Sequence, residues 1–123
     1  MVVALPGYLR RVGVGIVVGL AVLSGCAGSP AAPAAPANDA ALQRGREVFV
    51  QYCSTCHGKA GGGGAGPKLA NGRVLRDFAT IEAQVAFVKK GNGAMPAFAS
   101  RLSDDDITDA VRFTREVLNS ATG

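Results

Sequence analysis

Two cysteines and the single histidine of the chain fall within five consecutive positions, Cys53-Ser54-Thr55-Cys56-His57, although all 123 residues hold only three cysteines. On a helix, positions i, i+3 and i+4 lie on one face, so Cys53, Cys56 and His57 would offer two thiols and an imidazole to the same side. Four chemistries use such a set: a structural zinc ion, a dithiol redox pair, a plain disulfide and a covalently held porphyrin. Structural zinc takes four protein ligands, commonly as two separated pairs, and only one pair with its neighbouring histidine is present here. A thioredoxin-like pair follows a strand and opens a helix, yet no alternating strand pattern precedes Cys53. A disulfide closing so short a loop removes little entropy from the unfolded chain. The fourth chemistry uses every group: thiols at i and i+3 add to the two vinyl groups on one porphyrin edge, and the imidazole at i+4 reaches the iron from the same side.

Five residues are a weak pattern alone, so a second axial donor is needed to support it. Apart from the initiator, the chain has one methionine, Met95, and it has no second histidine. A methionine is commonly a flexible filler of apolar cores, but Met95 stands in GNGAMPAF, where Gly91, Asn92 and Gly93 favour a tight turn and Pro96 biases Met95 toward extended backbone. That placement suits a thioether projected from a loop, and by elimination Met95 is the expected sixth ligand of the iron.

The elements that must hold these groups read as helices. Leu42, Gly45, Val48, Phe49 and Tyr52 recur at helical spacing, with Asn38 or Asp39 as N-cap, and one further turn of the same helix would put Cys53, Cys56 and His57 on a single face. The stretch from Lys59 to Pro67, KAGGGGAGP, reads either as a mobile linker or as side-chain-free backbone passing close to a flat ligand. A turn is expected at Asn71-Gly72, and a short helix from about Thr80 to Lys90, ending at Gly91. The last helix is expected from Ser103 as N-cap, with Asp104, Asp105 and Asp106 in its first turn and Ile107, Ala110, Val111, Phe113, Thr114, Val117 and Leu118 on its apolar side.

The first part of the chain has a different composition. Arg10 and Arg11 precede an apolar run over residues 12–23, followed by Leu23-Ser24-Gly25-Cys26. The run is much shorter than the roughly 20 residues a membrane-spanning helix requires, and the order of charge, apolar run and small residues is that of an export signal. Leu23-Ser24-Gly25-Cys26 resembles the lipobox of bacterial lipoproteins, which implies cleavage before Cys26 and its lipidation. The expected organisation is a signal over 1–25, a lipidated cysteine and Ala/Pro-rich tether over 26–39, and one domain over 40–123. The net charge of +4 includes Arg10 and Arg11, so no nucleic-acid partner is implied. With 48% hydrophobic but only 6% aromatic residues, so small a domain is expected to need a cofactor to supplement its core.

Over about residues 40–120 the sequence resembles the class I c-type cytochromes, especially the small bacterial single-haem type. The resemblance rests on Gly45 and Phe49, on CSTCHG from Cys53, on GPKL from Gly66, on Met95-Pro96 and on LSDDDI from Leu102, in that order. It implies an all-α, cytochrome c-like fold of three to four short helices around one covalently bound haem c. It also implies thioether bonds from Cys53 and Cys56, iron ligation by His57 and Met95, and a hydrogen bond from His57 to the Pro67 carbonyl. First and last helices would cross at Gly45, which would admit an aromatic, Phe113. The implied function is that of an electron carrier and not an enzyme: a monomer serving redox proteins such as a terminal oxidase or a quinol-oxidising complex, at the outer side of a bacterial membrane or in the periplasm. A haem enzyme or gas sensor with Met95 displaced is the alternative. An apolar wall including Leu69, Phe78 and Phe98 is expected to raise the potential. Lys59, Lys68, Lys89 and Lys90 form either a docking face or an ordinary solvated surface, with the aspartates 104–109 expected at the far end.

Overall fold

The computed structural model describes residues 30–120. The signal-like stretch and Cys26 lie outside the described residues. Helix α1, Ala40–Val48, starts at Asp39, whose carboxylate accepts the Leu42 N–H at 2.9 Å. The backbone then widens into a π-helical turn, Phe49–Cys53, before α2, Ser54–His57. The regular α-helical continuation through His57 considered from the sequence is interrupted by this turn. The Ser54 N–H bonds back to the Phe49 carbonyl, and the Ser54 hydroxyl donates to the Val50 carbonyl at 2.7 Å. One extra residue in a turn rotates everything after it relative to everything before, and such insertions gather at functional sites. Here Phe49 stays wholly buried against α5 while the following segment turns away to form the cysteine site.

After the glycine loop comes α3, Arg73–Asp77, a short helix not anticipated from the sequence pattern. It follows a turn in which Asn71 and Gly72 take φ of 58° and 76°. Helix α4, Ile81–Lys90, is capped by Thr80 and stopped by Gly91. Helix α5, Asp104–Glu116, opens with a full capping box between Ser103 and Asp106. No strand occurs among the described residues; Asn92 and Met95 form one isolated bridge.

The frame is the crossing of α1 and α5. A Cβ on Gly45 would lie 2.0 Å from the Asp109 carbonyl oxygen, so the absent side chain admits the backbone of α5. This corrects the expectation of an aromatic at that point. Phe113 packs instead on Phe49, with ring centroids 5.5 Å apart and planes tilted by 44°. Leu42, Phe49, Ala70, Phe113, Val117 and Leu118 form one core cluster, and Phe98, Ile107 and Val111 a second under α4. Polar pairs lock the same crossing. Arg44 holds the buried Asp109 at 2.8 Å, and Arg112 bridges Asp39 at 3.0 Å and Glu116 at 2.7 Å. Between α4 and α5, buried Gln84 donates to Thr114 and accepts from Arg115, which also reaches the Phe78 carbonyl.

The Ala/Pro-rich stretch is not free along its whole length. Arg46 donates to the carbonyls of Pro33 at 2.8 Å and Ala32 at 3.2 Å, and Gln43 to those of Pro36 and Ala37. Ala32 is buried and Ala35 packs on the first core cluster.

Gly45→Ala forces backbone against backbone, and thermal or denaturant unfolding of the haem-loaded protein should show a loss of about 2 kcal/mol or more. Gly62→Ala, with open space around the added carbon, should show none. The Leu42 N–H and then the Arg112 guanidinium hold the Asp39 carboxyl below its ordinary value of 3.8. A carboxyl lowered on folding stabilises above its unfolded pKa and loses that contribution as pH falls through the folded one. The melting difference between the parent and Asp39→Asn should therefore be full at neutral pH and shrink below pH 3.8.

Candidate functional site

The site is built on α2 and on the loop that folds back against it. His57 is buried, and its Nδ1 lies 2.8 Å from the Pro67 carbonyl oxygen. A carbonyl only accepts, so this contact makes Nδ1 the protonated nitrogen and leaves the Nε2 lone pair free for a metal. The loop that delivers Pro67 is pinned by its own backbone. Gly63 donates to the His57 carbonyl at 2.8 Å, Gly66 to that of Cys56 at 2.8 Å, and Leu69 to that of Gly61 at 2.9 Å. KAGGGGAGP thus forms a hydrogen-bonded loop closed against α2. Gly58, Gly61 and Gly63 take positive φ. Gly66 has a different need: a Cβ there would stand 2.8 to 2.9 Å from the imidazole ring. The ring and the loop are in contact because that residue has no side chain. Sequence pattern alone marked the glycines but not this one as the floor under His57.

Cys53 and Cys56 are both free thiols, the first half-buried and the second exposed. Burial, and secondarily the nearby Cys56, pushes the Cys53 thiol up to about 11. Unmodified, it is therefore not an acidic redox thiol. Among the described residues no three His, Cys, Asp or Glu side chains gather as they would around a metal ion. The raised, half-buried thiol counts against the dithiol chemistry.

Met95 lies at the end of a tight turn in which Asn92 and Met95 exchange two backbone hydrogen bonds of 3.0 Å. Gly91 precedes it at φ 71°, where a Cβ would meet the Met95 oxygen at 2.7 Å. Met95 is half-buried against the cluster of Phe98, Ile107 and Val111. Of the expected apolar wall, Phe98 belongs to that cluster, Leu69 packs with Cys53 on the first one, and Phe78 pairs with Phe87 at 5.1 Å. Tyr52 and Leu75 are large, apolar and 41% and 49% exposed. The donor set and this apolar surround fit a flat hydrophobic macrocycle carrying iron: two unpaired thiols, one nitrogen lone pair, one thioether, and apolar side chains that water otherwise meets.

The lysines divide. Lys59, Lys68 and Lys90 are exposed, but Lys89 pairs with Asp104 at 2.7 Å. The start of α5 therefore sits beside the lysines of α4, correcting the expected separation of the two charges. Asp109 is likewise withdrawn, into its pair with Arg44.

Known proteins share these features. Residues 40–113 match the family model described as cytochrome C oxidase, cbb3-type, subunit III. Cytochrome c6 of Leptolyngbya boryana is 46% identical over 65 residues, covering 51% of this chain and 76% of that protein. The crystal structure of cytochrome c6 from the diatom Phaeodactylum tricornutum superposes with a TM-score of 0.52 at 28% identity, over 59% of this chain and 88% of that one. Cytochrome cL of Methylophaga aminisulfidivorans superposes with a TM-score of 0.57 at 24% identity, a likeness of fold, over 66% of this chain; the match spans about half, 55%, of that longer protein.

Gly66→Ala should push the imidazole off the Pro67 carbonyl. In nuclear magnetic resonance spectra the exchange-protected His57 ring N–H signal should shift and lose protection, whereas Gly62→Ala should leave it in place.

Proposed function

The chain belongs to the cytochrome c family, as a class I c-type cytochrome with one covalently attached haem c, and we propose that it is a membrane-tethered electron carrier of an exported compartment. Haem, when bound, supplies a one-electron Fe(II)/Fe(III) couple. The residues of this chain set what that couple does. Cys53 and Cys56 would hold the haem through two thioether links, and His57 would offer Nε2 to its iron. The Pro67 carbonyl fixes the imidazole tautomer and increases its donor strength, as acceptors behind a metal-bound histidine do. Met95 would hold the iron through its thioether, a donor that would favour the reduced state and leave no open place for a substrate. Leu69, Phe78 and Phe98 exclude water and penalise the added charge of the oxidised state, so they raise the potential further.

The observation that carries this reading is the 2.8 Å contact between His57 Nδ1 and Pro67, because it prepares a metal-ready nitrogen beside two unpaired thiols. A high-potential carrier would serve respiratory or photosynthetic redox proteins, for example a terminal oxidase or a quinol-oxidising complex. Lys59, Lys68 and Lys90 are the exposed charges available for docking, with Lys89 engaged by Asp104. Domain organisation follows the sequence: an export signal over 1–25, lipid on Cys26, a linker, and the haem domain from residue 40. The lipid would hold the carrier at the periplasmic or external face of the membrane.

A redox titration should give a clearly positive midpoint with a six-coordinate, low-spin spectrum and the thioether-to-iron band. Met95→Ala should abolish that band, lower the midpoint and open the iron to carbon monoxide. A parent protein that is already high-spin and binds carbon monoxide would instead favour the sensor or peroxidase reading.

A further inference from the structure

Residues 32–37 run against α1 in a definite direction. Arg46, in the last turn of the helix, holds the carbonyls of Ala32 and Pro33, while Gln43, one turn earlier, holds those of Pro36 and Ala37. Numbers rise along the segment as they fall along the helix, so the two are antiparallel. Ala32 is 8% exposed, and Ala35 rests on the core cluster that also contacts Cys53. The Asp39 N–H closes the reversal on the Pro36 carbonyl at 3.2 Å. A proline-broken Ala/Pro stretch, extended and without polar side chains of its own, has little intrinsic reason to settle on a helix; here two side chains satisfy four of its carbonyls. Arg46 and Gln43 are both fitted to this use, because each has a long side chain ending in several N–H donors and no competing partner among the described hydrogen bonds.

We propose that residues 32–37 are a docked strap that returns the membrane-attached end of the chain to the haem end of α1, so that the carrier works on a redox partner whose electron-transfer group lies at the membrane surface. The proposal rests on lipidation of Cys26. A free linker from Cys26 to Asp39 would reach roughly 40 Å at about 3.1 Å per residue, but with the strap docked only six steps separate Cys26 from Ala32, roughly 19 Å. The exit point matters as much as the length. Ala32 sits beside Arg46, and Cys53 follows seven residues later, roughly 10 Å along the axis at 1.5 Å per residue. A free linker would leave the domain from the start of α1, the opposite end. The strap therefore keeps the cysteine site near the bilayer and limits its swing, which suits a membrane-embedded complex better than a freely diffusing partner.

The test uses the haem-loaded, lipidated full chain in liposomes, alongside Gln43→Ala with Arg46→Ala in one variant and Arg46→Lys in another. Elastase cuts after small residues, so cleavage within residues 32–37, identified by the mass of the released domain and counted apart from cuts in the preceding linker, reads the strap directly. The parent should be cut slowly within residues 32–37 and the double variant at least about tenfold faster at the same sites, with Arg46→Lys, which keeps one donor site, between them. Quenching of a headgroup dye by the haem reads the reach, and it should be stronger in the parent than in the double variant. Equal cleavage of parent and double variant overturns the strap. Slow cleavage of the parent with equal quenching overturns the claim about reach. Intact mass decides the premise separately: a chain with no lipid on Cys26 overturns the membrane reading and the reach with it, while cleavage of the soluble protein still decides the strap.

Discussion

One contact governs the chemistry of this domain: the imidazole of His57 held between a glycine without a side chain and the carbonyl of Pro67. Helix α2 is only four residues long and has no hydrogen-bonded side-chain cap of its own. Its orientation is imposed by the glycine loop, through backbone donors to the Cys56 and His57 carbonyls, and by Ser54 bonding back to Val50. A loop with larger side chains would not reach the ring, and without the loop the tautomer of His57 would be unassigned. Position and tautomer of the imidazole are thus settled by the same few residues.

Behind that contact stands the crossing of α1 and α5, where a missing side chain again does the positioning. Gly45 lets two backbones meet, which brings Phe49 onto Phe113 and seats the core cluster directly under Cys53 and Leu69. Met95 belongs to the other cluster, under α4, so the two expected iron ligands rest on separate halves of the apolar interior. A macrocycle bound between them would join the halves, which agrees with a core too poor in aromatic residues to be self-sufficient.

Much of this was legible from residue types. Ser103 and Asp106, Thr80, Gly91 and Asn71-Gly72 marked helix ends and turns through local chemistry that acts within three or four residues. The all-α, cytochrome c-like fold was equally readable, because the motifs occur in a fixed order. What escaped was decided by contacts distant in sequence. The π turn at Phe49–Cys53 reconciles a phenylalanine that must face α5 with cysteines that must not, and no periodicity announces it. The docking of residues 32–37 depends on Arg46 and Gln43, whose residue types and spacing carry no signal of it. Helix α3 is too short for its pattern to rise above noise, and the meeting of Lys89 with Asp104 follows only once α4 and α5 are packed.

The central claim is that Cys53 and Cys56 join one haem to α2. Intact mass of the denatured protein purified from its native cells, followed by mass mapping of its peptides, tests this most directly. The account predicts that one haem mass stays with the chain after denaturation and maps to the peptide containing Cys53, Cys56 and His57. A colourless polypeptide with two alkylatable thiols in that peptide would contradict it.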